Sequence, residues 1–207
     1  GQPSSRQEEP RLRAVVDALL SEYAGSNPGA SVLVMQHGNV LLRRSYGLAD
    51  CASGVRVQAN TNFRLASVTK QFTAAAILLL RDDGALRLSD TLCDIFSDFP
   101  AYGREVRVQH LLQHTSGLRD YFGLLAPGRA EQVSDAEVLQ MMREQPGGNF
   151  APGSAYEYSN TGYCVLAEII AAVSGQSYSR FLDRCDLTEQ TVSTCHCCAL
   201  TVFSLSL

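Results

Sequence analysis

Between Phe72 and Leu80 the chain reads FTAAAILLL, with Thr73 its only polar residue. A segment apolar on nearly every side has no face to turn to water, so the helix predicted from Ser67 to about Asp83 is expected to be buried all round. Gly84 follows in the position of a C-terminal cap. The apolar run is too short to cross a bilayer. It is therefore predicted as the central helix of a helical lobe, and the rest of the chain must supply its cover.

Residues 1 to 8 are polar and predicted to fray. From Glu9 onward, Leu12, Val15, Val16, Leu19, Leu20 and Tyr23 follow the spacing of an amphipathic helix, which GSNPG ends. SVLVMQHGNVLLRRSYGLAD reads as two strands turning at Gly38-Asn39, and a turn-rich stretch runs from Asp50 to Asn62. EVRVQHLLQHTSGL reads as a lead-in, a helix and a turn at Ser116-Gly117. SDAEVLQMMREQ carries a capping box, Ser134 with Glu137, and is a predicted helix. PGGNFAPGSAYEYSNTG is a loop, YCVLAEIIAAVSG a helix closed by Gly175, and SYSRFLDR opens another. A lone hairpin is marginal in water, and no further strand is predicted before residue 190.

With 45% hydrophobic and 18% charged residues, the 207-residue chain has a globular composition. Its net charge is −4 and its basic residues are scattered, which speaks against a nucleic-acid surface. The chain opens on Gly1 with no charged segment leading into an apolar core, so any secretion signal is taken as removed or never included. Of the 7 cysteines, Cys51, Cys93 and Cys164 are spread out, whereas Cys185, Cys195, Cys197 and Cys198 crowd together. An odd number does not make a tidy disulfide framework.

Ser67 and Lys70 in SVTK share a helix face. A serine hydroxyl attacks poorly unless a base takes its proton. A lysine serves as that base only where burial or a nearby positive charge disfavours its ammonium form. For these four residues alone, a helix N-cap serine beside a solvated lysine is the commoner arrangement. Tyr158-Ser159-Asn160 follows the Gly/Pro loop: a tyrosine near a lysine can shuttle a proton, and an asparagine amide can hold a carbonyl or the lysine. In isolation it is equally a turn with a packed tyrosine.

His110 and His114 have the spacing of metal ligands on a helix, but Leu111 stands where the motif has glutamate and no third ligand is evident. His114 is expected to hydrogen-bond the turn after it. Cys195, His196, Cys197 and Cys198 are too closely spaced for a structural zinc site. Asp94, Asp98 and Asp120 read as surface or capping residues.

Taken together, FRLASVTKQFTAAAILLL, HLLQHTSGL and FAPGSAYEYSNTGY, in this order, resemble the serine β-lactamase and penicillin-binding-protein superfamily. The branch resembled is the class C-like one, with D-alanyl-D-alanine carboxypeptidases and related esterases, and the resemblance runs from about residue 12 to Arg184. It implies an α/β (α+β) β-lactamase/transpeptidase-like fold. Residues 9–62 would give the helix and hairpin of the α/β lobe and residues 63–184 the helical lobe, within one partial domain, 1–184. It implies Ser67 as an acylated nucleophile, Lys70 and Tyr158 sharing general-base and general-acid work, and Asn160 positioning Lys70 and substrate. The Ser67 backbone N–H would supply one oxyanion donor. No cofactor or metal is implied. The partner is a small-molecule or peptide substrate with a carbonyl, and the location is periplasmic or secreted. Oligomeric state stays open, and no membrane partner is indicated.

The resemblance breaks toward the end. The family's third motif, K-T-G or H-x-G, is missing: Lys70 is the only lysine, and His196 is followed by two cysteines. Residues 185–207 lose the resemblance, crowd cysteines and carry no Asp, Glu, Lys or Arg after Glu189. A frameshift truncating a longer enzyme, with the C-terminal strands of its sheet missing, is the expectation. A substitute strand in ALTVFSLSL and a membrane-seeking tail are the alternatives. The chain is expected to be a weak or inactive serine hydrolase, or else a non-catalytic remnant of one.

Overall fold

The computed structural model describes residues 5–129 and 131–185, which fall into two compact units meeting at the Ala66–Ser67 bond. The cysteine-rich stretch with Cys195, His196, Cys197 and Cys198, and with it the expected change of frame, lies outside the described residues.

In the first unit, helix α1 (Ser5–Leu19) starts earlier than Glu9 and contains Pro10. Apolar spacing marks the packed face of a helix rather than its ends, and Arg, Gln and Glu are good helix formers. Strands β1 (Ala30–Gln36) and β2 (Asn39–Tyr46) pair antiparallel, Ala30 opposite Tyr46 and Gln36 opposite Asn39. The turn is therefore His37-Gly38, not Gly38-Asn39. Both residues sit at positive φ, 49° and 79°, as a two-residue turn matching the strand twist requires.

Val16 and Leu20 of α1 pack on Leu42 of β2, with Val32, Val34 and Tyr46 around them. Asp17 fixes the helix to the strand: the Tyr46 hydroxyl donates to it at 2.6 Å and the Arg44 guanidinium at 3.3 Å. The Tyr46 bond, helped by Arg44 and Arg13, holds the Asp17 carboxyl below its ordinary range against the opposing effect of burial. A second antiparallel pair forms where β3 (Leu48–Asp50), the end of the stretch read as the second hairpin strand, turns into β4 (Val55–Arg56), which lies in the stretch read as turns. These strands are too short to show alternation, and their pairing depends on Ala49, Val57 and Phe63 burying together.

The second unit is helical: α2 (Thr69–Asp82), α3 (Leu92–Ile95), α4 (Val108–Leu112), α5 (Asp135–Arg143), α6 (Asn160–Ser174) and α7 (Tyr178–Arg184). Its centre is α6, which packs on α2, α3, α4, α5 and α7. This corrects the expectation for α2, which is not buried all round. Helical periodicity gathers Thr73, Ala76, Ile77 and Leu80 on its buried face, and leaves Leu78 and Leu79 36% and 39% exposed. In α6, by contrast, Val165, Leu166, Ile169 and Ile170 are fully buried and join Ile77, Leu111, Met142 and Phe181 in one core.

The caps follow the sequence closely. Ser134 and Glu137 form the capping box of α5, and Gly175 closes α6 at φ 68°. Gly84 lies just past α2 at φ 72°. Helix α3, unpredicted because its four residues show no period, has its own box from Thr91 and Asp94. Asp120 caps the turn Tyr121–Leu124, and Asp98 pairs with Arg143 at 3.1 Å.

Candidate active site

Ser67 sits in a single 3-10 turn, Ala66–Val68, immediately before α2. Ala66 holds φ 49°, a conformation costly for a residue with a Cβ. The N-cap position of α2 is Val68, which makes no side-chain capping bond. Ser67 is thus not the capping serine that its local sequence favoured.

Its hydroxyl is engaged elsewhere. The Tyr158 hydroxyl donates to Ser67 Oγ at 2.7 Å. Lys70 Nζ donates to the same oxygen at 3.3 Å and to Asn160 Oδ1 at 2.8 Å. The four residues named from SVTK and YSN therefore form one hydrogen-bonded cluster. Lys70 reaches Ser67 from one turn further along the helical path, and Asn160, in the first turn of α6, accepts from Lys70 alone. Ser67 and Tyr158 are exposed and Lys70 and Asn160 half-buried, so the cluster lies at the surface of its unit.

Lys70 Nζ also lies over two aromatic rings, 4.8 Å from the centroid of Tyr158 and 5.4 Å from that of Tyr163. Burial pushes the Tyr158 phenol up, but its hydrogen bonds with Lys70 and Ser67 and the charge of Lys70 outweigh it. The net effect holds the phenol below its ordinary value.

The tripeptide is positioned from both ends of its own sequence. Ser159 is the N-cap of α6, its hydroxyl accepting from the Gly162 N–H at 2.9 Å. Thr161, fully buried, donates to the Arg119 carbonyl at 2.8 Å and accepts from the Tyr121 N–H at 3.0 Å. The preceding loop is tied to the H-T-S-G turn, the Asn149 N–H donating to Gly117 O at 2.7 Å and the Gly153 N–H to Thr115 O at 2.8 Å. Gly117 is required there. It sits at φ 69°, and a Cβ would lie 2.2 Å from the Phe150 carbonyl oxygen.

His114 does not bond the turn that follows it. Its Nδ1 accepts the N–H of Ser159, 45 residues away, at 3.0 Å. His110 faces elsewhere, accepting the Arg107 N–H at Nδ1, so the pair does not converge on a common point. Two contributors escaped the sequence reading. Tyr163, whose hydroxyl donates to Leu112 O at 3.1 Å, falls three residues after Asn160, and that helical spacing could have revealed it. Thr161 offered no comparable signal, because its partners lie in a distant loop.

Comparison with known proteins fits this geometry. The family model described as Beta-lactamase matches residues 12–185. The chain is 38% identical over 155 residues to penicillin-binding protein 4* of Bacillus subtilis (strain 168), covering 73% of this chain and 34% of that protein. It is 34% identical over 176 residues to a D-aminopeptidase of Brucella ovis, covering 84% of this chain and 33% of that protein. Among solved structures it resembles the octameric penicillin-binding protein homologue from Pyrococcus abyssi, with TM-score 0.70 and 27% identity over 84% of this chain and 41% of that one. The chain thus spans about a third of the length of the curated relatives it matches. With a β-lactamase/transpeptidase-like fold of mixed helix and strand, the chain belongs to the β-lactamase family of serine hydrolases.

Proposed function

We propose that this chain carries the nucleophile side of an acyl-transfer site, with Ser67 as the residue acylated by a substrate carbonyl. The observation that carries the reading is that one oxygen, Oγ of the exposed residue Ser67, lies within hydrogen-bond reach of both Tyr158 OH and Lys70 Nζ. To attack, Ser67 must give its proton to one of these neighbours. Lys70, through its hydrogen bond and charge, eases loss of the phenol proton; once Tyr158 has given that proton to solvent, its phenolate takes the Ser67 proton with Lys70 beside it. The same pair then returns a proton to the leaving group, as base and acid are one set of groups used in both directions. Asn160 keeps Lys70 on the Ser67 side and offers an amide to the substrate.

The relatives' names point to a β-lactam or a D-amino-acid peptide, and the family resemblance adds an ester. The periplasm or the extracellular space is the corresponding location. Among the described residues no helix is long and apolar enough to cross a membrane.

A second reading keeps the cluster but denies it turnover. It concerns these 207 residues taken alone, which hold neither K-T-G nor H-x-G; by the family resemblance that motif's strand supplies the second oxyanion donor, and a site without one donor is typically about 10² to 10³ slower. Incubation with a fluorescent penicillin and with an activated ester, followed by mass spectrometry, tests both. Label on Ser67 that disappears in Ser67→Ala supports the nucleophile, and release of that label supports turnover. Label that stays bound supports the second reading. A folded chain that takes no label from either probe refutes the assignment of Ser67.

A further inference from the structure

Tyr158 is steered by a residue outside the hydrogen-bonded cluster. His114 lies in the H-T-S-G turn at φ 58°, in the left-handed region where histidine is enriched among non-glycine residues. Two of its atoms reach the chain on either side of Tyr158. Its carbonyl oxygen accepts the Glu157 N–H at 2.9 Å, and its Nδ1 accepts the Ser159 N–H at 3.0 Å. Its ring stacks on the Tyr158 ring, with centroids 4.5 Å apart and planes at 29°. The backbone flanking Tyr158 and its ring are therefore both held from one residue.

We propose that His114 is the positioning residue that keeps the Tyr158 hydroxyl on Ser67, acting through an unprotonated Nδ1 that accepts the Ser159 N–H. The proposal deepens the acyl-transfer reading and rests on it for its effect on activity. Its structural content stands on the two backbone bonds and the stack. A ring protonated at both nitrogens has no lone pair for Ser159, so acid breaks the side-chain bond and leaves only the Glu157 bond and the stack.

The groups that face the ring are Lys70 and the rings of Tyr156, Tyr158 and Tyr163. The Glu157 carboxylate is within 3.4 Å of Asn149 Nδ2, and His110, on the preceding helix, is occupied by Arg107. Burial first, and then the charge of Lys70, push the His114 imidazolium below its ordinary value of 6.5. The neutral ring is thus the resident form at neutral pH. The unfolded chain takes up the proton first on acidification. The contribution of His114 is whole above 6.5 and erodes as the pH falls below it, and the latch opens at the lower, folded-state pKa.

Two substitutions and the unaltered chain test this. Asparagine tolerates positive φ and offers an oxygen near the place of Nδ1, whereas glycine tolerates positive φ and offers nothing. Amide hydrogen exchange at Ser159, followed by NMR, needs no activity. It should be about 10-fold faster or more in His114→Gly than in the unaltered chain, and near the unaltered value in His114→Asn. In the unaltered chain, Ser159 protection should be lost on acidification with the midpoint of the His114 imidazole titration.

Labelling of Ser67 should slow on the order of 10²-fold in His114→Gly. His114→Asn should restore part of it and lose the acid limb of the pH profile. Ser159 protection that ignores both His114→Gly and the His114 titration overturns the proposal, as does an acid limb unchanged in His114→Asn. If the unaltered chain takes no label, the acyl-transfer reading fails, and the exchange data still decide whether His114 anchors the tripeptide.

Discussion

The Tyr158 hydroxyl donates to Ser67 Oγ at 2.7 Å across 91 residues of sequence. Tyr158→Phe removes that bond and the proton carrier but keeps the aromatic stack on His114. Labelling of Ser67 by an activated ester should slow by about 10² to 10⁴-fold, the usual range for a lost general acid or base. Because Tyr158 is 49% exposed, the stability read from urea unfolding should change little, within about 0.5 kcal/mol. A labelling rate equal to that of the unaltered chain would remove Tyr158 from the proton path.

Asn160 has a smaller part, holding Lys70 Nζ at 2.8 Å without touching Ser67. Asn160→Ala should slow labelling by about 10-fold, the worth of one hydrogen bond in a barrier, and should not abolish it. Stopped-flow measurement with the fluorescent penicillin gives the rate. A loss as large as that in Ser67→Ala would mean that Asn160 does more than position the lysine.

Gly117→Ala tests the support beneath the tripeptide. A side chain at φ 69° is strained, and its Cβ would fall 2.2 Å from Phe150 O. Strain of this kind costs about 1 to 3 kcal/mol before any clash, so thermal unfolding should come several degrees earlier. The Gly153–Thr115 contact beside it should loosen with it, visible as faster amide exchange at Gly153. An unchanged melting temperature would contradict the close approach of the two loops.

The capping box of α5 gives a pH signature. Backbone and side-chain bonds from Ser134, with Arg129, lower the Glu137 carboxyl from 4.5 to about 2. Its folded pKa lies below its unfolded one, so its contribution is complete above about 4.5 and is lost as pH falls toward 2. Glu137→Gln should therefore flatten the acid dependence of stability in that window, lowering stability at pH 7 and leaving it close to that of the unaltered chain near pH 2. Urea titrations between pH 2 and 7 would show it, and parallel curves for the two proteins would speak against the box.

Ile169 is fully buried in α6, in the same core as Ile77, Met142 and Phe181. Ile169→Ala should cost about 2 to 5 kcal/mol, read from the denaturant midpoint at constant slope. Leu79→Ala, on the exposed side of α2, should cost far less. Equal losses would restore the expectation that α2 is buried all round.

Much of this molecule is legible in its residues because helical geometry is local. The SVTK spacing places Lys70 within reach of Ser67 through the chain's own turn, and Ser134 with Glu137, or Gly175, mark helix ends wherever the helix is placed. The same locality explains the failures. Apolar content could not tell α2 from α6 as the central helix, since burial depends on what packs against each face. The short strands β3 and β4 had no period to display, and the hairpin turn was placed one residue late.

The sequence by itself determined the helices, their caps, and the proximity of Ser67 and Lys70, all set by contacts within a few residues. Only the tertiary structure decided that Tyr158 and Asn160 close on that pair, and that His114 turns to Ser159 rather than to its own turn. Those pairings join segments tens of residues apart. Their geometry is set by α6 seated in the core and by loops that meet through Gly117, an arrangement that depends on packing and that no periodicity encodes.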